Sequence, residues 1–301
     1  MDKPSIGLDG FYFTEGPRWH KDALWFSDMH GHRVMRATFD GNDLTGEVEV
    51  IATMDFDDPS GLGWLPDGRL VVVAMNSKKL YRLEIDNTGN SNLVEHADMS
   101  HLVHGDINDM IVTEDGTAYV GHMGYEIHGD VSERKSAETI HVTPDGHASI
   151  GADMLEAPNG HILTPDESTL IVAESAASRL TAFDVSPEDG TLSNRRTYAQ
   201  ITPATEELFI ATPDGICLDE EGAVWVADPR GKRILRVLEG GEITDSYIFE
   251  GEMPLACVLA GQDRRTLCIC VAVDWRKEIV LQKPTARIDT VRVNVPGAGK
   301  P

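Results

Sequence analysis

The feature that most constrains the fold of this chain is an internal repeat. Residues 59–83 and 213–237 align without a gap, and each segment begins with Pro-x-Gly, turns at Asp-Gly or Glu-Gly, and ends with Arg and an aliphatic residue. Weaker copies start at residues 17, 107, 158 and 254, so six copies follow one another at intervals of 41 to 55 residues. A period of this length is typical of β-propeller blades, each of which is one four-stranded antiparallel sheet.

We therefore predict an all-β fold, a six-bladed β-propeller with four-stranded antiparallel blades, as a single domain over residues 1–301. Asp-Gly at 67–68, 115–116 and 145–146 predicts hairpins with type I′ turns, in which both central residues need positive φ. Residues 10–13 and 285–295 read as strands. We expect these two to share a blade, because joining the chain ends removes open sheet edges.

The innermost strands of a propeller line a central channel, so the residues that lead into them should meet there. Four of these equivalent positions carry carboxylates or amides, namely Glu15, Asn108, Asn159 and Asp214. Oxygen ligands with two negative charges suit a hard divalent cation. Asn and Asp beside Gly also form turns through their own side chains, and this explanation fits each residue taken singly. It fits Glu15 least, because Glu is a poor turn former.

Four motifs, in this order and spacing, resemble the senescence marker protein/gluconolactonase/luciferin-regenerating enzyme family. They are Glu-Gly-Pro at 15–17, Pro-Asn-Gly at 158–160, Pro-Asp-Gly at 213–215 followed by VWVAD, and TVRVNVPGAG at 290–299. The resemblance runs from about Gly10 to the C-terminus. It implies a six-bladed propeller with one central divalent cation, held by Glu15, Asn159 and Asp214.

In that family the residue that corresponds to Asn108 is a metal ligand in some members and a substrate contact in others. Ca²⁺ is our first choice of cation, with Mg²⁺, Mn²⁺ or Zn²⁺ as alternatives. Sugar-lactonase members carry an Arg that contacts the sugar where this chain has Asp106. The acid argues against an aldonolactone substrate and leaves the metal ligands unchanged.

The resemblance, together with the ring of oxygen ligands, predicts a metal-dependent hydrolase of a lactone or related cyclic ester. Asp214 is the candidate general base, and Asn108 is expected to orient the substrate. Further substrate contacts are predicted at Asp106, His104, His122 and Tyr125. Two alternatives stay open: a phosphotriesterase that uses the same metal site, and a calcium-binding propeller without catalysis.

The charge of the chain and the lengths of its apolar runs limit the classes of partner that it can bind. The chain has 50 acidic and 26 basic residues, a net charge of −24, which disfavours nucleic acid and anionic membranes as partners. No stretch approaches the 18 apolar residues of a membrane span, and the polar N-terminus does not read as a signal peptide. We expect a cytoplasmic protein that acts on a small molecule, and the sequence leaves its oligomeric state open.

Several other residues receive structural predictions. Cys268 and Cys270 lie two apart in an apolar run, so they should face one side of a strand and fill the core. Trp64, Trp225 and Trp275 are expected to pack between blades. His30 and His32 are assigned to the surface or to supporting roles, because no Cys or helical Glu accompanies them.

Overall fold

The structure is a computed structural model that describes residues 3–127 and 134–300. Within these ranges the strands form six antiparallel sheets. The innermost strand of each sheet contacts the innermost strands of the two neighbouring sheets, which closes a ring around a channel. The six-bladed β-propeller predicted from the repeat is therefore confirmed.

The first strand, β1 (Ser5–Phe11), belongs to the last blade, and the strands that follow it fill blades 1 to 3 from the channel outward. The strands of blade 1 are β2 (Thr14–His20), β3 (Ala23–Asp28), β4 (Arg33–Asp40) and β5 (Asp43–Thr53). The strands of blade 2 are β6 (Pro59–Trp64), β7 (Leu70–Ala74), β8 (Lys79–Ile85) and β9 (Ser91–Asp98). The strands of blade 3 are β10 (Ile107–Val112), β11 (Ala118–His122), β12 (Ala137–Val142) and β13 (Ala148–Leu155).

Blades 4 to 6 continue the same pattern. The strands of blade 4 are β14 (Pro158–Leu163), β15 (Thr169–Glu174), β16 (Arg179–Val185) and β17 (Leu192–Gln200). The strands of blade 5 are β18 (Ile216–Asp219), β19 (Val224–Asp228), β20 (Arg233–Val237) and β21 (Ile243–Ile248). The later strands are β22 (Met253–Ala260), β23 (Thr266–Ala272), β24 (Ala286–Arg292) and β25 (Gly297–Ala298). Helical structure in the described ranges is a 3₁₀ turn, Met29–Gly31, and a single α-helical turn, α1 (Lys277–Val280).

The two chain ends meet in blade 6, as predicted. Its strands lie in the order β1-β24-β23-β22, so the N-terminal strand supplies the outermost strand. This strand runs from Ser5 to Phe11 rather than over the predicted residues 10–13. The C-terminal strand β25 was not anticipated: it pairs with β18 and gives blade 5 a fifth strand.

The three Asp-Gly hairpins form, but the predicted type I′ turns are wrong. Gly68, Gly116 and Gly146 have φ of 87°, 93° and 90°, whereas no preceding Asp has a positive φ. The Gly68 N–H donates to the Leu65 carbonyl at 2.8 Å, as in a type I turn followed by a left-handed glycine. The Asp67 carboxylate accepts the backbone N–H two residues later at 3.1 Å, a local bond that favours this turn.

Adjacent blades pack face to face and bury both faces of their central strands. Every residue of β7 and β23 is buried. Cys268 and Cys270 of β23 are fully buried, as predicted for core residues. Burial on both faces explains why these strands read as continuous apolar runs rather than as alternating patterns.

The prediction that the tryptophans pack between blades holds for two of the three. Trp64 of blade 2 stacks on the His20 ring of blade 1, with ring centroids 3.8 Å apart. Trp225 of blade 5 is 2% exposed and joins a cluster that includes Cys257 of blade 6. The prediction for Trp275 is wrong, because this side chain is 47% exposed and lines a cavity at the channel mouth.

The β1 strand closes the ring, so loss of its packing should weaken the whole fold. Phe11 is 6% exposed and meets the Phe26 ring edge-on, with ring centroids 5.0 Å apart. We expect Phe11→Ala to lower the free energy of unfolding by about 3–5 kcal/mol in urea titrations. Ile6→Ala on the same strand is the matched control, since Ile6 is 62% exposed and should change stability by no more than about 0.5 kcal/mol. Equal losses for both would contradict the closure described here.

Candidate functional site

The innermost strands of blades 1, 3 and 4 share an irregularity in their pairing. Strand pairing slips between Glu15 and Arg18 in blade 1. Equivalent slips lie between residues 107 and 110 of blade 3 and between residues 158 and 161 of blade 4. Bulges of this kind redirect a side chain and are common beside functional sites. They fall on the segments that carry Glu15, Asn108 and Asn159, so the sequence equivalence of these positions is also a structural one.

The glycine that follows each of two candidate ligands lets the blades approach closely. Gly16 has φ of 55°, and a Cβ atom there would lie 2.7 Å from the Ser60 carbonyl oxygen of blade 2. A Cβ atom on Gly160 would lie 2.5 Å from the Asp214 carbonyl oxygen of blade 5. Only glycine fits such contacts. The motifs Glu-Gly-Pro and Pro-Asn-Gly therefore combine a polar side chain with the backbone contact that brings it near its neighbours.

The four candidate ligands line one cavity of about 440 Å³ at this end of the channel, together with the predicted substrate contact Tyr125. Asn108 and Asn159 are joined directly, because the Asn108 amide nitrogen donates to the Asn159 amide oxygen at 2.9 Å. Ser60 supports the pair by donating its hydroxyl to the Asn108 oxygen at 2.7 Å. The structure therefore brings together the residues that the repeat marked as equivalent.

Burial and mutual repulsion act on the two carboxyl groups of this set. Burial, opposed by the Gly16 N–H and reinforced by the charge of Asp109, raises the pKa of Glu15 to about 8. Burial, with the charges of Glu15 and Asp109, raises the pKa of Asp214 well above its ordinary value. One Asp214 oxygen, Oδ1, is buried and has no hydrogen-bond partner among the described residues.

These features fit a bound cation. Neighbouring buried carboxylates disfavour each other's ionised form, and a positive ion placed among them favours it. The unpartnered Asp214 oxygen is a buried acceptor of the kind that such an ion satisfies. In the described ranges no group of three or more His, Cys, Asp and Glu is arranged to hold a metal, so a candidate centre here must use amide oxygens as well as carboxylates.

A buried ion pair lies on the same inner strands and holds three blades together. The Arg18 guanidinium is 2.5 Å from the Asp109 carboxylate. It also donates to the carbonyl oxygens of Leu62 at 3.0 Å, Pro17 at 2.9 Å and Met110 at 2.6 Å. These bonds engage each of its three nitrogens, so Arg18 serves the framework rather than the substrate.

Three of the predicted substrate contacts, Asp106, His104 and His122, are not among the residues that line the cavity. Asp106 is 5% exposed, and its carboxylate accepts the Ile127 N–H at 2.7 Å while its own N–H donates to the Tyr125 carbonyl at 3.1 Å. It therefore holds the segment that presents Tyr125 to the cavity. His104 is an exposed residue whose ring centroid is 5.3 Å from that of His122.

His122 is fully buried and occupies a structural position that recurs in other blades. Its ring nitrogens meet the Glu138 carboxylate at 2.6 Å and the Gly124 N–H at 3.2 Å, and burial lowers its pKa. His122 is the last residue of the second strand of blade 3. At the equivalent place in blades 1, 4 and 5 the last residue is an acid, and it pairs with the Arg five residues later. These pairs are Asp28–Arg33 at 2.5 Å, Glu174–Arg179 at 2.7 Å and Asp228–Arg233 at 2.9 Å.

Each of these acids also accepts a backbone N–H from the segment that leads into the innermost strand. The bonds are Phe13 N–H to Asp28 at 3.1 Å, Glu156 N–H to Glu174 at 2.8 Å, and Thr212 N–H to Asp228 at 3.0 Å. The acids thus position the segments that carry Glu15, Asn159 and Asp214. The repeated acid-x₄-Arg spacing is visible in the sequence and could have identified them.

His30 was predicted to lie at the surface or in a supporting role, but it lines the cavity and is 3% exposed. His30 Nδ1 lies 3.5 Å from the Asp58 carboxylate, which in turn accepts the Lys277 ammonium at 2.8 Å. Burial opposes ionisation of Asp58, but hydrogen bonds from His30 and Lys277 outweigh it and hold the pKa of this carboxyl well below its usual range. A buried histidine backed by a carboxylate is therefore part of the cavity wall.

The sequence profile of the SMP-30/Gluconolactonase/LRE-like region matches residues 13–273. The chain belongs to this family. Among curated relatives, regucalcin of Xenopus laevis is 26% identical over 278 residues, which cover 87% of this chain and 86% of that protein. Regucalcin of Gallus gallus is 29% identical over 288 residues, covering 93% of this chain and 90% of that protein.

Solved structures show the same fold at low sequence identity. A luciferin-regenerating enzyme superposes with a TM-score of 0.78 at 18% identity and covers 98% of each chain. A gluconolactonase from Xanthomonas campestris gives a TM-score of 0.70 at 22% identity, covering 99% of this chain and 95% of that one. A calcium-binding protein, regucalcin, from Agrobacterium tumefaciens gives 0.76 at 18% identity, covering 97% and 94%. No helix in the described part of the chain is long and apolar enough to cross a membrane.

Proposed function

We propose that this protein is a divalent-cation-dependent hydrolase of lactones or related cyclic esters. The observation that carries the proposal is a pair of buried carboxyl groups beside two amides in one cavity, where one carboxyl oxygen has no partner within the part of the chain that the structure describes. Membership of a family that is named for gluconolactonase supports the same reaction class.

Glu15, Asn159, Asp214 and Asn108 would hold the cation. Hard oxygen ligands favour Ca²⁺, and Mg²⁺, Mn²⁺ or Zn²⁺ are alternatives. A structural neighbour that is described as a calcium-binding protein supports Ca²⁺ as the first choice. When bound, such an ion polarises an ester carbonyl and stabilises the negative charge that develops on its oxygen.

The chain's own groups would carry the proton. Asp214 would take a proton from the attacking water as the water oxygen bonds to the carbonyl carbon. The ring C–O bond then breaks, and the proton passes to the released alkoxide, which gives a hydroxy acid. Asn108, which is held by Ser60, would orient the substrate, with Tyr125 beside it on the cavity wall.

Removal of the cation provides the direct test. We expect dialysis against a chelator to lower lactone turnover at least about 100-fold and added Ca²⁺ to restore it, because loss of carbonyl polarisation removes several kcal/mol of transition-state stabilisation. The circular dichroism spectrum serves as the control for an intact fold. Turnover that survives chelation in a folded sample would refute metal-dependent hydrolysis.

A second function is favoured by the calcium-binding description of one neighbour: a propeller that binds Ca²⁺ without catalysis. It predicts a melting temperature that rises with Ca²⁺ and no turnover on a broad ester panel. Phosphotriesters belong in the same panel, since that reaction could use the same ligands. A phosphotriester rate tenfold above the best lactone rate would replace the lactonase proposal.

A further inference from the structure

We propose that the substrate is a lactone with an apolar side chain rather than a sugar lactone. This inference rests on the proposed function and concerns the cavity walls rather than the cation. The polar candidate ligands lie together, and much of the remaining wall is apolar. The apolar side chains used in the argument are Phe13, Met29, Met75, Met123, Met253 and Trp275.

Three of these methionines occupy one repeated position. Met29, Met75 and Met123 are each the first residue after the second strand of blades 1, 2 and 3. Their N–H groups donate to carbonyl oxygens of the segments before the innermost strands, at 2.8, 3.1 and 2.9 Å. The fold therefore presents three methionines side by side to the cavity. Met is unbranched and polarizable, and it adapts to ligands of varied shape.

Two of the polar side chains that line the cavity beside the candidate ligands, Ser175 and Thr212, are engaged already. The Ser175 hydroxyl donates to the Pro213 carbonyl at 2.7 Å. The Thr212 hydroxyl donates to the Asp228 carboxylate at 3.3 Å and accepts the Arg230 N–H at 3.1 Å. A sugar lactone brings several hydroxyl groups, each of which loses free energy when it is buried without a partner. An alkyl chain has no such requirement.

Asp106 does not serve a sugar substrate either. Its carboxylate accepts the Ile127 N–H at 2.7 Å, and the residue does not line the cavity. In the described part of the chain, Arg230 is the one Lys or Arg that lines the cavity, and it is an exposed residue. Among the described residues, the cavity wall therefore offers a single guanidinium to a bound substrate.

A homologous series tests the inference. The substrates are γ-butyrolactone, its γ-methyl, γ-propyl and γ-hexyl derivatives, and glucono-δ-lactone, each assayed with saturating Ca²⁺. We expect kcat/KM to rise about fourfold per methylene over the first three methylenes, because each buried methylene favours binding by a constant increment. The γ-propyl compound should also exceed glucono-δ-lactone. A flat series, or a preference for glucono-δ-lactone, would overturn the inference while the lactonase proposal stands.

A variant tests whether the apolar wall of the cavity causes the preference for longer alkyl chains. Met253→Gln keeps the side-chain length and adds a polar amide, and it should reduce the ratio of γ-propyl to γ-methyl kcat/KM at least about threefold. Met253 is half-buried at the start of β22 and packs against the edge of the core without being part of the buried cluster. Met154→Gln is the control, since Met154 is 71% exposed on an outer strand and should leave the ratio unchanged. An unchanged ratio in Met253→Gln would count against the proposed wall.

A binding readout separates the two proposals. γ-Alkyl lactams resist hydrolysis, so calorimetric titration with them measures the affinity of the cavity for an alkyl chain without any turnover. We expect affinity to rise with chain length in wild type and less steeply in Met253→Gln. If lactam affinity rises with chain length but no lactone is hydrolysed, the lactonase proposal is refuted and the apolar binding site is supported. Lactam affinity that is independent of chain length would refute the apolar site.

Discussion

Glu15→Gln is expected to lower the affinity for a divalent cation by orders of magnitude, whereas Asn108→Ala should lower it by roughly tenfold. Glu15 supplies one of only two full negative charges in the proposed ligand set, so the exchange removes about half of the Coulomb attraction. In a partly buried site that loss amounts to several kcal/mol before relaxation. Asn108 is neutral, and a water molecule can replace its oxygen at modest cost. Each 1.4 kcal/mol corresponds to one decade in affinity.

Titration calorimetry of cation binding to both variants measures the difference. The Gln side chain has the size of Glu and retains an oxygen that can accept the Gly16 N–H, which lies 3.1 Å from Glu15 Oε2 in the wild type. A folding defect should therefore not account for a lost cation site. Equal or reversed losses of affinity would show that Glu15 is not a ligand, and the equivalence of blade positions would then need another explanation.

Arg18→Met is expected to lower the free energy of unfolding by about 3–5 kcal/mol, the range for breaking a buried ion pair. The exchange leaves Asp109 buried without its partner at 2.5 Å, and it removes the donor from the Leu62 and Met110 carbonyl oxygens. The stranded negative charge also lies close enough to act on Glu15 and Asp214, whose pKa values it already raises. Urea unfolding that is followed by circular dichroism measures the loss.

Two further variants make this prediction specific. Arg18→Met combined with Asp109→Leu removes both charges and should recover part of the lost stability. Arg196→Met breaks the Arg196–Asp184 pair, whose side chains are 36% and 48% exposed, and should cost no more than about 1 kcal/mol. If Arg18→Met costs as little as Arg196→Met, the buried pair does not hold the blades together.

The repeat was the part of the sequence that carried the most structural information. Six copies predicted six blades, and the polar residues at matching places within the copies predicted one shared cavity. Both inferences depend on the spacing of residues along the chain, which can be read from the sequence. The turn type at Asp67-Gly68 could not be derived in this way, because type I′ turns and type I turns followed by a left-handed glycine use the same residue pair.

Three of the predicted substrate contacts lie away from the cavity lining for a single physical reason. Asp106, His104 and His122 are near the channel in sequence, but a strand or segment has two sides, and only the packed structure decides which side faces the cavity. His122 ends its strand in the place that acids occupy in three other blades, and that place does not line the cavity. Trp275 was misplaced for a similar reason, since its loop turns toward the cavity mouth.

The sequence by itself determined the blade count, the all-β class, the closure of the ring by the two chain ends, and the four polar positions that meet in the channel. These follow from the sequence repeat and from strand patterns within it, both of which can be read along the chain without knowledge of its packing. The tertiary structure alone decided that Met29, Met75 and Met123 lie on one cavity and that Arg18 bonds to Asp109 and three carbonyl groups. It also decided that one Asp214 oxygen has no hydrogen-bond partner among the described residues. Each of these depends on contacts between segments that are far apart in the chain, where burial and the supply of hydrogen-bond partners are set by packing.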